Sequence, residues 1–221
     1  MPGTAHQEIE LKRLLVGPGA ADRLLAALGP VQGEEKHQIN HVFDTNDRRL
    51  QQHRYAVRLR LENGTPFLTV KGPSRSVGAD TGTRAEAEAK IDRQVAGEVL
   101  AGRTDPVTAL RGLAPDPAYA ELWRGVEQAR AGQPLHEIGH FENLRRTVAV
   151  RLPSGLALEV EVDRTRFSDG RIDEEVEIEV VGEDVVPEVE AWLAQVAAAA
   201  GVTTAPSTPK VARFYASLPA D

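Results

Sequence analysis

The chain has 221 residues, 41% of them hydrophobic, and its 26 Lys and Arg against 33 Asp and Glu give a formal charge of −7. That length holds one large domain or two small ones with a real core, and the acidic balance argues against non-specific nucleic-acid binding while leaving room for a local basic pocket. There is no cysteine, which excludes disulfides, thiolate metal sites and Cys nucleophiles.

No apolar run reaches the ~18 residues of a transmembrane helix. The stretch MPGTAHQE lacks the basic and apolar regions of a signal peptide. The expectation is a cytoplasmic protein without membrane or nucleic-acid partners, as monomer or homodimer.

Residues 6–15 alternate charge and aliphatic: Glu8, Glu10 and Lys12 fall on one face, Ile9 and Leu11 on the other. Residues 17–29 read as a short helix, with Pro18 near its start, Leu24, Leu25 and Leu28 on one face and Gly29 as the stop. Residues 34–45 read as a strand with Ile39 and Phe43, followed by a polar or helical turn in which Asp44 and Thr45 shape the chain. YAVRLRLE alternates Val57, Leu59 and Leu61 with Arg58 and Arg60. Asn63-Gly64 then marks a hairpin whose return strand, PFLTVKG, carries Lys71. VGADTGT reads as a loop. Residues 83–91 alternate again, though their alanines leave helix open as an alternative.

Residues 92–133 form helical blocks broken by Gly and Pro, in which Leu110, Leu113, Tyr119, Leu122 and Trp123 require burial. We read one domain over 1–221 with a helical insertion at about 92–135. Strands resume at 135–150, 156–163 and 172–181. An amphipathic helix covers 185–201, TTAPSTP is a loop, and 210–218 is a last helix with Ser207 or Thr208 as its N-cap. Trp123 and Trp192 are expected as core anchors. No fixed repeat of 20–50 residues is present, which argues against a solenoid.

The charged faces set the question. Arg84, Glu86, Glu88 and Lys90 share one; so do Glu159, Glu161 and Asp163, and again Glu175, Glu177 and Glu179. A sheet with one solvated face is ordinary, but here most polar positions are carboxylates or arginines rather than Thr, Ser or Gln. The alternative is an antiparallel barrel whose charged face lines the lumen and whose apolar face packs outward against the helices. Like charges side by side are costly, so such a lumen calls for a cation on its carboxylates and a polyanion on its guanidinium and ammonium groups. Mg²⁺ or Mn²⁺ with a polyphosphate meets both needs: these metals take oxygen ligands, and Arg and Lys bind phosphate. No Walker-type phosphate loop occurs. His136 and His140 share a face but lack a third ligand of their kind, which argues against zinc.

EIELK resembles the E-x-E-x-K signature of the CYTH superfamily, the triphosphate tunnel metalloenzymes, which include class IV adenylate cyclases and thiamine-triphosphatases. In the same order, HVFDTNDRRLQQHRYAVRLR, LTVKGP, RAEAEA, LRRTV, LEVEVD, EEVEIEV and STPKVARFY resemble the family's further tunnel segments, from residue 8 to 213. Residues 92–135 match no motif. The resemblance implies an α+β fold: an eight-stranded antiparallel closed barrel with a charged lumen and helices outside. It implies that Lys12, Arg58, Arg60, Lys71, Arg84, Arg145 and Lys210 clamp phosphates. Metal would be held by Glu8, Glu10, Glu159, Glu161, Asp163, Glu175, Glu177 and Glu179. Glu10, Lys12, Arg58, Arg60 and Glu161 form the expected catalytic set, and Glu86 and Glu88 support the clamp by pairing with arginines. Arg146 points away from Arg145, Lys90 sits past the tunnel mouth, and Arg213 stays on the last helix without touching ligand.

The expected activity is Mg²⁺- or Mn²⁺-dependent cleavage of the terminal phosphate of inorganic tripolyphosphate or a small organic triphosphate. Two alternatives share the same clamp: a class IV-type adenylate cyclase or thiamine-triphosphatase, and a polyphosphate-binding module without turnover. With five Phe, three Tyr and two Trp and no evident stacking cluster beside the tunnel residues, the sequence leans away from a nucleotide or thiamine specialist.

Overall fold

The alternating segments become strands of one antiparallel sheet that closes on itself. The computed structural model describes residues 6–78, 81–113 and 117–219, with side chains from residue 9 on. In chain order the elements are β1 (His6–Val16), α1 (Ala20–Leu28), β2 (Gln32–Asp44), α2 (Arg49–Gln52), β3 (Ala56–Glu62), β4 (Thr65–Lys71), β5 (Arg75–Ser76) and β6 (Thr81–Lys90). There follow α3 (Arg93–Leu100), α4 (Pro106–Leu113), α5 (Ala120–Arg130), β7 (His136–Arg151), β8 (Ala157–Arg166), β9 (Ile172–Glu179), α6 (Val186–Ala199), β10 (Thr203–Pro206) and α7 (Lys210–Ser217).

The strand order is β10-β1-β9-β8-β7-β2-β3-β4-β6-β5, and a further β1–β6 pairing closes eight strands into a barrel. β1 makes closure possible by using one edge twice. Its residues 6–11 pair with β6, and residues 13–16 continue onto β10, while its other edge pairs with β9. A closed sheet has no free edge over its paired length. The β3–β4 hairpin turns at Asn63-Gly64, both at positive φ (46° and 77°), as this dipeptide favours.

The sheet is apolar outside. Ile9, Leu11, Val160, Val162, Val176 and Ile178 pack outward against Leu24 and Leu25 of α1 and Val189 and Leu193 of α6. On the opposite wall Val57, Leu59, Leu68 and Val70 meet Leu50, Val99, Leu110, Trp123 and Val126 of α2 to α5. The helical blocks thus cover β3, β4 and β6. Ala87 and Ala89 are buried beneath them, so the alanines of residues 81–90 serve close helix–strand approach rather than helix formation. Leu113 is 44% exposed, against the expectation of burial.

A third apolar cluster was absent from the sequence reading. Val42, Phe141 and Phe167 join Phe214 and Tyr215 of α7, and α7 plugs one end of the barrel. Asp44 ties that end together. Its carboxylate accepts from the backbone N–H of Thr45 (2.7 Å), Leu50 (2.8 Å) and Gln51 (3.0 Å) and from the Tyr215 hydroxyl (2.7 Å). Two further expectations are corrected. Residues 203–206 form a strand rather than a loop, because β1 leaves β6 and offers them its edge. α7 has no side-chain N-cap, because the Ser207 hydroxyl donates to Glu175. Among the described residues, no helix is long and apolar enough to cross a membrane.

Candidate active site

The barrel encloses a cavity of about 1050 Å³. Strand alternation sends every second side chain of its eight strands inward. Lys12, Arg58, Arg60, Lys71, Arg84, Arg145 and Lys210 all line it, as do Glu10, Glu86, Glu88, Glu159, Glu161, Glu177 and Glu179. Lys90, expected past the tunnel mouth, instead joins the lining at the end of β6. Glu8 pairs in the ladder with Arg84; its side chain lies outside the described residues.

The charges are matched in local sets. Lys12 reaches Glu10 and lies 3.5 Å from Glu177, and Arg84 lies 3.6 Å from Glu10. Lys71 pairs with Glu86 at 2.7 Å. Glu88 accepts from Arg60 (2.8 Å) and from Thr69 (2.7 Å), with Arg58 at 3.7 Å. Glu86 and Glu88 are therefore both bound to cations. Arg145 grips Asp163 through two nitrogens (2.8 and 2.6 Å), Glu177 at 2.6 Å, and Glu161. Lys210, carried in from α7, lies 2.7–2.8 Å from Asp163, Glu175 and Glu177.

Two of the expected metal ligands are not among the residues that line the cavity. Asp163 and Glu175 are buried behind it, committed to Arg145 and Lys210 and to Lys210 and Arg213 respectively. Arg213 holds Glu175 at 2.8 Å through Nη2, with Asp173 at 3.2 Å, and stays out of the lumen. Arg146 lies on the outer wall, bound to Asp22 of α1 at 2.9 Å.

The titrations follow from burial and neighbours. Burial opposes the charge on Glu177, yet Lys210, Lys12 and Arg145 hold its carboxyl well below the usual range. Burial likewise opposes the charge on Lys210, which Asp163 and Glu175 hold above the ordinary lysine range. Arg58 is pulled below the usual guanidinium value by burial and by Arg60 beside it. Glu161 goes the other way. Burial, with Glu177 and Asp163 nearby, pushes its carboxyl up to about 7 despite Arg145.

Two amides and two rings escaped the sequence reading. Gln38 donates to Glu62 (2.8 Å) and accepts from Asn143 (3.0 Å), which accepts from Thr165 (2.8 Å), a hydrogen-bonded chain across four strands that ends on a carboxylate. Asn40 is 1% exposed and lines the cavity, and neither its Oδ1 nor its Nδ2 has a hydrogen-bond partner among the described residues. Phe67 and Phe141 also line the cavity, and the Arg60 guanidinium lies 5.1 Å from the centre of the Phe67 ring. The available signal was the alternation Gln38–Ile39–Asn40. Nothing in the local sequence marked Phe141 as inward.

This architecture defines a class: an antiparallel β-tunnel, apolar outside, with opposed charges enclosed within it. The CYTH domain family model matches residues 6–215, and the chain belongs to the CYTH family. Among solved structures it resembles HpAC1 from Hippeastrum, assigned as an adenylyl cyclase and described as having a dominant triphosphatase activity. The TM-score is 0.75 at 26% identity, over 95% of each chain. A Bacillus halodurans protein assigned as an adenylate cyclase matches with a TM-score of 0.64 at 22% identity, over 95% of this chain and 98% of its own. A Pyrococcus horikoshii protein matches with a TM-score of 0.59 at 16% identity, over 94% and 98%. The last two show the fold alone. No curated protein matches the chain.

Proposed function

We propose that the chain is a divalent-metal-dependent phosphohydrolase that removes the terminal phosphate of tripolyphosphate or a small organic triphosphate inside the tunnel. The observation that carries this reading is the convergence of seven clamp cations from five strands and α7 in one enclosed cavity. The triphosphatase activity described for HpAC1, at 26% identity, supports it.

The metal follows from charge. Eight cations and seven carboxylates line the cavity, so the lumen is already close to neutral. A triphosphate adds several negative charges that the cations alone do not offset. Glu161, raised to about 7 by burial and further by Glu177 and Asp163, is a carboxyl whose charge a cation would stabilise. Glu159, exposed at the mouth, has no ion-pair partner among the described residues. Oxygen donors of this kind fit Mg²⁺ or Mn²⁺. Glu10, Glu159, Glu161, Glu177 and Glu179, with Glu8, are the residues that would hold it. Bound there, the metal supplies Lewis-acid stabilisation of the phosphoryl oxygens.

The chain's own part is binding and orientation. Arg58, Arg60, Lys71 and Arg84 exchange their contacts with Glu88, Glu86 and Glu10 for phosphate oxygens. Lys12, Arg145 and Lys210 oppose the charge that builds on the transferred group. The Asn40 amide supplies a neutral donor to a phosphate oxygen, which meets its own missing hydrogen bond. Water attacks the terminal phosphorus, the anhydride P–O bond breaks, and orthophosphate leaves with the shortened phosphate. The proton that water loses passes to a cavity carboxylate that the metal leaves free, and from there to solvent.

A second reading has its own support. Phe67 and Phe141 beside an uncommitted amide suit the planar base of a nucleotide, so cyclisation of ATP with loss of pyrophosphate belongs in the same assay. The test is a screen of tripolyphosphate, ATP, thiamine triphosphate and pyrophosphate with Mg²⁺ and Mn²⁺ in parallel. Orthophosphate from tripolyphosphate is the expected result. Cyclic AMP and pyrophosphate from ATP would favour the cyclase. Tight binding without either product would make the tunnel a polyphosphate-binding module.

A further inference from the structure

The outer wall between β2 and β7 carries a second constellation, and the ladder builds it. His41 lies directly opposite His140. The register then slips: Val42 faces Gly139, while Phe43 faces Glu137, leaving Ile138 as the extra residue of a bulge. In an even strand Glu137 and His140 would point to opposite faces. The bulge turns Glu137 to the side of both histidines. Gly139 permits this with φ +140°, and a side chain there would also meet the Phe214 ring at 3.1 Å.

Three donors converge as a result. The His41 Nδ1 lies 2.7 Å from Glu137 Oε1. The His41 and His140 rings are 5.6 Å apart at 45°. One ligand atom from each of the three residues lies within 4.8 Å of the others. None of them lines the tunnel. His41 alternates with Asn40 and Val42 on β2 and so faces outward, opposite Leu59 of the outer core in the β2–β3 ladder.

We propose that His41, Glu137 and His140 form a binding site for a zinc-type transition-metal cation on the outer wall, separate from the oxygen-lined lumen. Donors about 2.0–2.1 Å from a tetrahedral ion sit roughly 3.3 Å from each other. Binding an ion would draw the three donors from within 4.8 Å toward that spacing. Two imidazoles and a carboxylate select Zn²⁺ and its neighbours over Mg²⁺, which prefers oxygen donors and retains its waters. His140 and Glu137 are exposed, so the fourth position is open to water. The His41–Glu137 hydrogen bond by itself explains two of these residues and not the third. Such an ion bridges β2 and β7 where the slip breaks their ladder, on the segment against which Phe214 of the plug helix rests. It is a clip on the wall and does not depend on the reaction in the tunnel.

The test uses the full chain, stripped of metal and held in excess Mg²⁺ to occupy oxygen donors. Zn²⁺ is then titrated against a chromogenic chelator. The expected result is one zinc equivalent bound by the wild type, with affinity reduced by more than about ten-fold in His140→Ala and in Glu137→Gln. Zinc should raise the melting midpoint of the wild type and not of His140→Ala. Both substitutions are at exposed positions, and their metal-free midpoints check that they fold. No zinc equivalent in the wild type, or one retained by both variants, would overturn the site.

Discussion

Glu161 stands between Arg145 and the anionic pair Glu177 and Asp163, and its pKa of about 7 exceeds the ordinary 4.5. A carboxyl whose folded pKa is raised binds its proton more tightly in the folded state, so its contribution to stability is present below about 4.5 and is lost as pH rises through about 7. Glu161→Gln removes that loss. In metal-free buffer its melting midpoint should gain on the wild type between about pH 5 and about pH 8, while turnover with Mg²⁺ collapses; a constant difference across that range would contradict the assignment. Glu10→Gln should keep polyanion binding and lose metal-dependent turnover, measured by calorimetry and orthophosphate release. Arg58→Ala should instead raise KM. Asn40 makes the complementary case. An unpaired buried amide costs roughly 1–3 kcal/mol, so Asn40→Leu should melt no lower than the wild type and yet bind tripolyphosphate more weakly. Unchanged affinity with a lower midpoint would give Asn40 a structural role only. The lumen cations of β1, β3, β4, β6 and β7 were legible in the sequence because each sits on an alternating strand, whereas Lys210 sits on α7. Asp163 and Glu175 lie deeper than the sequence indicated, because alternation gives the face of a residue and not its depth. α7 brings Lys210 and Arg213 over both from 35 or more residues away.

At the scale of elements, α7 combines a closure and a charge. Phe214 and Tyr215 seal the barrel end, and Lys210 enters among three buried carboxylates. Removing the ammonium leaves those carboxylates uncompensated. Lys210→Met should therefore destabilise the metal-free protein by about 3–5 kcal/mol, read as a shift in denaturant midpoint. The depressed carboxyls of Asp163 and Glu177 give the opposite pH sense to Glu161. Their stabilisation is present above about pH 4–5 and lost as pH falls, so the cost of Lys210→Met should shrink in acid. α7 itself was readable from its periodicity, but its start was not. Ser207 has the chemistry of a cap, and only the tertiary structure offers it Glu175 instead. β10 was unreadable for a related reason: TTAP becomes a strand because β1 presents an edge there, which no local pattern records.

For the whole molecule, the inverted sheet decides the rest. Valine, leucine and isoleucine face outward onto helices, and the charges face a closed interior. Alternation made that legible as two options, a solvated face or a lumen, and the excess of carboxylates and arginines over Thr, Ser and Gln pointed to the second. Closure rests on the long-range β1–β6 pairing, and the bulge in β7 on a slip of one residue, so neither is written in a local window. The most direct test is a crystal structure of the protein with tripolyphosphate and Mn²⁺, with the metal located by anomalous scattering. The prediction is phosphate density along Arg58, Arg60, Lys71 and Arg145, with Mn²⁺ against Glu10 and Glu161. Phosphate and metal bound outside the barrel, with the lumen's ion pairs undisturbed, would contradict it.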